Sequence, residues 1–161
     1  QEHGIEANRN RIARDFLKTD RDFLIMIDDD NPPTKDIVSL TELDKDVLIL
    51  PTPIHMGDYQ AIKNVKPNIY KEHNGKRYQV LDLGDGLEQI DSGGTGCIII
   101  ARRVLEKLKQ PFQGIYDEDG VRTTGQDIEF CRRVKELGFE IWTHWDYPCH
   151  HFKTIDLLNE L

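Results

Sequence analysis

Apolar positions along the chain gather into short continuous runs separated by polar turns. The sharpest is Phe23-Leu24-Ile25-Met26-Ile27, which empties directly into Asp28-Asp29-Asp30-Asn31-Pro32-Pro33. A run of this length reads as a buried strand of an α/β sheet. Upstream, Ile5, Ile12, Ala13, Phe16 and Leu17 recur at mostly helical spacing with Arg9, Arg11 and Arg14 between them. That spacing predicts a helix over residues 5–18 packed on the sheet. Residues 35–43 read as a short helix, and Val47-Leu48-Ile49-Leu50 as a second buried strand stopped by Pro51 and Pro53. Helix and strand alternate here, which is the signature of a parallel sheet.

The pattern then changes. Asn74-Gly75 predicts a hairpin between residues 68–72 and 77–83, and Gly84-Asp85-Gly86 turns the chain into 87–91, completing a small antiparallel meander. Ser92-Gly93-Gly94-Thr95-Gly96 leads into a buried strand at 97–101 and a helix through Val104, Leu105 and Leu108. After a polar loop at 116–124, Ile128, Cys131, Val134 and Leu137 predict a helix that begins near Gln126 and ends at Gly138. Residues 139–142 read as a short strand, and a terminal helix is expected from Thr154. No repeat, low-complexity tract or linker interrupts the 161 residues, which are expected to form one domain.

Charge narrows the partners. Lys and Arg total 21 against 29 Asp and Glu, a formal charge of −8, and no basic stripe interleaves with aromatics. This argues against nucleic acid as a partner. An acidic chain that handles a phosphorylated substrate needs a divalent cation to mask the repulsion. Cys97, Cys131 and Cys149 sit in or beside apolar runs and include no C-x-x-C pair, so they read as reduced, buried thiols of a cytoplasmic protein. The apolar runs fall far short of the roughly 20 residues that span a bilayer. No intrinsic membrane segment or signal peptide is expected.

Three adjacent carboxylates at the end of a strand repel one another unless a cation neutralises them, and hard oxygen ligands favour Mg²⁺, Mn²⁺ or Ca²⁺. A solvated acidic turn that starts a helix uses the same residues. Asp127 opens a helix, where capping is the default for an isolated Asp and a general base held on a rigid element is the functional reading. His150-His151 near the chain end are candidate ligands only if the fold brings carboxylates to them. The glycines at 93–96 allow close approach of a ligand, but match neither a dinucleotide fingerprint nor a Walker loop.

Taken together, Ala7-Asn8-Arg9-Asn10, Ile27-Asp28-Asp29-Asp30, Asp91-Ser92-Gly93-Gly94-Thr95-Gly96-Cys97, Gly125-Gln126-Asp127-Ile128-Glu129-Phe130-Cys131-Arg132 and Cys149-His150-His151 stand in an order that resembles the GT-A glycosyltransferases, particularly family-two-like enzymes. The resemblance implies a Rossmann-like mixed sheet with a small antiparallel meander, and transfer of a sugar from a nucleoside-diphosphate donor to an acceptor hydroxyl. It implies that Asp30 and His151 hold Mn²⁺ or Mg²⁺, and that Asp28, Asp29, Arg9 and Gly94 border the donor. Gly93, Thr95, Gly96 and Gln126 would form the acceptor loop, and Asp127 would take the acceptor proton. Gln126 departs from the Glu that many members carry.

Members of that family open with a strand, helix and strand forming the nucleotide-base pocket, about 50–70 residues by the size of such units. The chain enters later, so the resemblance implies an N-terminally truncated or reduced domain over 1–161. A homo-oligomer paired through an exposed sheet edge is one way to complete it. A haloacid-dehalogenase-type phosphatase also starts with an apolar strand and D-x-D, but wants Thr or Val where this chain has Pro32. A non-catalytic nucleotide-sugar or metal-binding remnant is the reading from another class.

Overall fold

A computed structural model describes residues 4–55 and 65–152. The chain runs α1 (Gly4–Phe16), β1 (Phe23–Ile27), a 3₁₀ helix (Val38–Leu43), β2 (Val47–Ile49), β3 (Pro53–His55), β4 (Val65–Pro67), β5 (Ile69–His73) and β6 (Lys76–Gln79). It continues with β7 (Leu87–Ile90), β8 (Ser92–Gly93), β9 (Cys97–Ala101), α2 (Arg102–Leu105), β10 (Ile115–Tyr116), β11 (Arg122–Thr124), α3 (Gln126–Glu136) and β12 (Ile141–His144). The expected terminal helix from Thr154 lies outside the described residues.

The fold is mixed α/β. Its main sheet has the order β1-β9-β2-β12-β7. The parallel sheet read from alternating helix and strand is overturned: β1 and β2 both pair antiparallel with β9, and only β2 and β12 run parallel. Segment order could not show this, because β9 enters between β1 and β2 from far along the chain. The meander is also redrawn. β5 and β6 form the expected hairpin, with Asn74 at φ 52° and Gly75 at φ 72° supplying its left-handed turn. The third strand of that small sheet is β8, whereas β7 leaves it to pair with β12.

Central strands are buried on both faces, which explains their unbroken apolar runs. Along β2, Val47 and Ile49 enter a large core with Phe112, Phe130 and Ile141, while Leu48 enters a smaller one with Ile37 and Leu40. Along β9, Ile98 and Ile100 face the first core, Cys97 and Ile99 the second. β1 is an edge strand and only its Met26 is buried, so the expectation of a fully buried first strand fails. Both faces of a strand can be apolar without either being closed.

The first helix packs differently from its sequence reading. Ile5 and Ile12 are exposed, and the buried stripe is Glu6, Arg9, Ala13 and Phe16. Glu6 accepts hydrogen bonds from the Gly114 N–H at 3.2 Å and the Tyr116 hydroxyl at 3.0 Å. The Asn10 amide donates to the Phe112 carbonyl at 2.8 Å and accepts from the Phe112 N–H at 2.9 Å. These bonds fasten α1 to the segment before α3.

α3 ends as expected at Gly138, with φ 83° and the Phe139 N–H bonded to the Val134 carbonyl at 3.2 Å. Lys135 on this helix reaches Asp91 at 2.6 Å, and the Glu72 N–H donates to Asp91 at 2.7 Å. Burial pushes the Asp91 carboxyl up, but the Lys135 ammonium and the Glu72 N–H outweigh it and hold it below the usual range. Asp91→Asn is therefore expected to lower unfolding free energy by about 1–3 kcal/mol at neutral pH. A folded-state pKa below the unfolded one stabilises above the ordinary carboxylate value, about 3.9, and that contribution disappears as pH falls through the folded pKa. Urea unfolding of both proteins across pH checks this, and the gap between them should close in acid.

Candidate functional site

At the end of β1 the sheet pairing continues one residue further, the Asp28 N–H donating to the Gly96 carbonyl at 2.7 Å. The Asn31 N–H then closes back on the Asp28 carbonyl at 2.9 Å, turning the three acids out at the sheet's end. Asp29 is exposed, whereas Asp28 and Asp30 are half-buried. One Arg9 amino nitrogen, Nη2, donates to both Asp28 oxygens, at 2.8 and 2.7 Å. Its Nη1 donates to the buried Thr95 hydroxyl, and the guanidinium lies 5.7 Å from the Phe112 ring centre. Arg9 thus acts here through Asp28 and Thr95.

The chain end is laid along the acidic turn. Residues 148–152 run antiparallel to 30–34, through bonds from the Thr34 N–H to the Pro148 carbonyl at 3.1 Å, His150 N–H to Pro32 at 2.9 Å and Phe152 N–H to Asp30 at 2.9 Å. His151 is carried inward by this pairing and its side chain is 16% exposed. Its Nδ1 lies 2.6 Å from the Pro53 carbonyl, which can only accept, so Nδ1–H is the donor. Its Nε2 lies 3.3 Å from Asp30 Oδ2. His150 is exposed and stacks on Phe152 with ring centres 5.5 Å apart.

The glycine loop lies beside this turn. Gly93, Gly94 and Thr95 are buried, and the Gly94 N–H donates to the Asn68 carbonyl at 2.9 Å. A Cβ at Gly94 would overlap the Asn68 amide, and one at Gly96 would overlap the Asn31 amide, so both positions need glycine for space rather than for a left-handed backbone. Asn31, which the sequence reading passed over, is 5% exposed, and among the described residues its Nδ2 has no hydrogen-bond partner. Its position between D-x-D and Pro-Pro marked a turn residue, but only the fold brings it against Gly96.

Gly125 forms the N-cap of α3 with extended backbone and no side-chain bond, so Asp127 is not the cap. Asp127 sits in the first turn, its Oδ1 accepting the Ile128 N–H at 2.9 Å near the positive end of the helix. Tyr70 shares this neighbourhood: burial pushes its phenol up, Arg77 opposes and the Asp127 charge adds to it. Gln126 is 6% exposed and its Oε1 has no partner among the described residues. Glu129, next along the helix, is bound by Arg132 at 2.5 and 2.7 Å, which outweighs burial and holds its carboxyl low. A carboxylate so held is a poor proton acceptor.

All three cysteines are free and buried. The Cys149 thiol and burial drive the Cys97 thiol far up, while Cys97 and the Thr52 hydroxyl outweigh burial and hold Cys149 below its ordinary value. Among the described residues no group of three His, Cys, Asp or Glu side chains forms a metal cage. Nor is any described helix long and apolar enough to cross a membrane.

Comparison with known proteins sets the class of this fold. It is similar to the crystal structure of A197 from STIV, with a TM-score of 0.65 and 19% identity over 96% of this chain and 70% of that one. At that identity the likeness shows a shared fold. No protein-family model and no curated protein matches the chain. The resemblance to family-two-like GT-A enzymes is accordingly corrected: no family model and no curated protein supports it, and what the structure shows is the coarser mixed α/β fold. Motif order carried that resemblance, and short blocks of Asp, Gly and His recur without common descent.

Arg9→Ala would leave Thr95 buried and Asp28 half-buried without their shared donor. The expected cost is about 1–3 kcal/mol of unfolding free energy. Arg9→Lys should recover only part of it, because one ammonium cannot reproduce a planar fork serving two acceptors. Thermal unfolding of the parent and both variants measures the order.

Proposed function

We propose that the protein transfers a sugar from a nucleoside-diphosphate donor to an acceptor hydroxyl, with a divalent cation held by Asp30 and His151. The observation that carries this reading is the approach of His151 Nε2 to Asp30 Oδ2 at 3.3 Å, from opposite ends of the chain, with Nδ1 turned to the Pro53 carbonyl. A protein contribution of two ligands suits a cation that takes its remaining oxygens from substrate phosphates and water. Imidazole shifts the preference from Mg²⁺ toward Mn²⁺. Bound there, the cation would offset negative charge on the departing diphosphate.

The chain's own residues divide the remaining work. Asp28, kept in one orientation by Arg9, is offered to the donor's ribose hydroxyls, with Asp29 and Gly94 beside it. Gly93, Thr95 and Gly96 border the donor sugar and the acceptor, and Gln126 Oε1 accepts a hydrogen bond from the acceptor. Asp127 takes the proton of the attacking hydroxyl. The acceptor oxygen forms its bond to the anomeric carbon as the bond to phosphate breaks, and the electron pair leaves with the diphosphate.

Thermal unfolding with Mn²⁺ and a panel of nucleoside diphosphates tests the binding half. Mn²⁺ should raise the midpoint and a matching diphosphate should raise it further, adding about 2.7 kcal/mol of unfolding free energy at a hundredfold excess over Kd. Asp30→Asn and His151→Gln should each abolish the Mn²⁺ effect. Asp127→Asn should retain it while lowering sugar transfer at least ~10²-fold. Unchanged melting of the parent with Mn²⁺ and the whole panel would overturn the reading. Binding without turnover toward any added acceptor would leave a non-catalytic binding protein.

A further inference from the structure

A groove of about 520 Å³ runs along α1, between that helix and residues 105–111, and shares no lining residue with the site at Asp28, Asp30 and His151. We propose that this groove binds the anion of a fatty acid, with the carboxylate at Arg11, Arg14 and Lys109 and the aliphatic chain along an apolar floor. Ala7, Ala13 and Leu17 form one side of that floor, Leu105, Leu108 and Pro111 the other. From Ala7 to Leu17 it extends about 15 Å at the rise of a helix. The volume is that of a small-molecule site.

Cations are in excess at the rim. Arg11, Arg14 and Lys109 are exposed there against one acid, Glu106, which faces Arg102 at 3.9 Å. Asp15, next to Arg14 in the chain, is taken by Lys18 at 2.6 Å. Among the described residues neither Arg14 nor Lys109 has a side-chain hydrogen bond or an ion pair. In a chain of formal charge −8 this is a local reversal of sign, and it favours an anionic head.

The amide oxygens at the groove are already occupied. Asn10 receives the Phe112 N–H at 2.9 Å, Asn8 receives Arg11 at 3.3 Å, and Gln110 receives the Gln113 amide at 2.5 Å. A sugar hydroxyl or a peptide N–H entering here would lose water and find no free amide oxygen to replace it. A carboxylate on an aliphatic chain brings acceptors only. Among the described residues no aromatic ring lines the groove, so a nucleobase would have nothing to stack on.

Both walls are set before a ligand arrives. Asn10 ties α1 to Phe112 in both directions, and Arg133 of α3 donates to the carbonyls of Lys109 at 3.0 Å and Gln110 at 2.8 Å. Gln110 stands at φ 48°, a left-handed conformation that is costly for glutamine. Backbone held in this way gathers at ligand sites.

Isothermal titration of the parent protein with decanoate, below its micelle-forming concentration and with a chelator present, tests the proposal. Saturable one-to-one binding is expected. Decanol, which lacks the anion, and hexanoate, which lacks four methylenes, should each bind at least ~10-fold more weakly. Arg11→Glu and Arg14→Glu change exposed side chains, so each should keep the parent's unfolding midpoint and weaken decanoate at least ~10-fold. Ala7→Phe should block the groove. Asp30→Asn should bind decanoate as the parent does, which separates this result from the fate of the transfer reading. No saturable binding, equal affinity for decanol or hexanoate, or parent affinity in both arginine variants would overturn the proposal. Attachment to anionic phospholipid vesicles without decanoate binding would also overturn it, in favour of a membrane surface.

Discussion

The buried Arg9 guanidinium is the interaction on which the site depends. A cation in the first helix, 6% exposed, is tolerable only where carboxylate and hydroxyl oxygens meet it, and Asp28 and Thr95 do so from two other elements. Charge-assisted bonds of this kind are geometrically demanding, and losing one partner leaves the other desolvated. The helix, the end of β1 and the glycine loop are consequently fixed relative to one another at one point. Glu6 and Asn10 extend the same arrangement along the helix, each spending its polar atoms on the segment at 112–116.

A second constraint comes from the central strands. Because β2 and β9 are covered on both faces, their alternate residues must satisfy two cores at once, and the sheet has little freedom to slide. The arm at 148–152 is registered against this rigid frame through Pro51 as well as through residues 30–34. His151 therefore arrives at Asp30 by backbone pairing, not by a search of its own side chain.

Some of this was legible in the residues. Val47 to Ile49 and Cys97 to Ala101 read as buried strands because two-faced burial leaves an unbroken apolar run. Asn74-Gly75 specified a hairpin through its backbone alone, and Gly138 ended α3 for the same local reason. The polar candidates were visible as residue types at strand ends and a helix start. The helix at the N-terminus was found, but its buried face was not, since Glu6 and Arg9 look solvent-directed until their partners at 114, 116, 28 and 95 are known.

The sequence by itself located the central strands β2 and β9, the turn at Asn74-Gly75 and the helix α3, because those follow from neighbours a few residues apart. It determined that three carboxylates crowd one strand end and that the thiols belong to apolar surroundings. Only the tertiary structure decided that β9 enters between β1 and β2, that β7 leaves the meander for the main sheet, and that β1 lies at an edge. Only it decided which His faces Asp30. Pairing between distant segments depends on the joint packing of both faces of the sheet, and no local pattern along the chain records that choice.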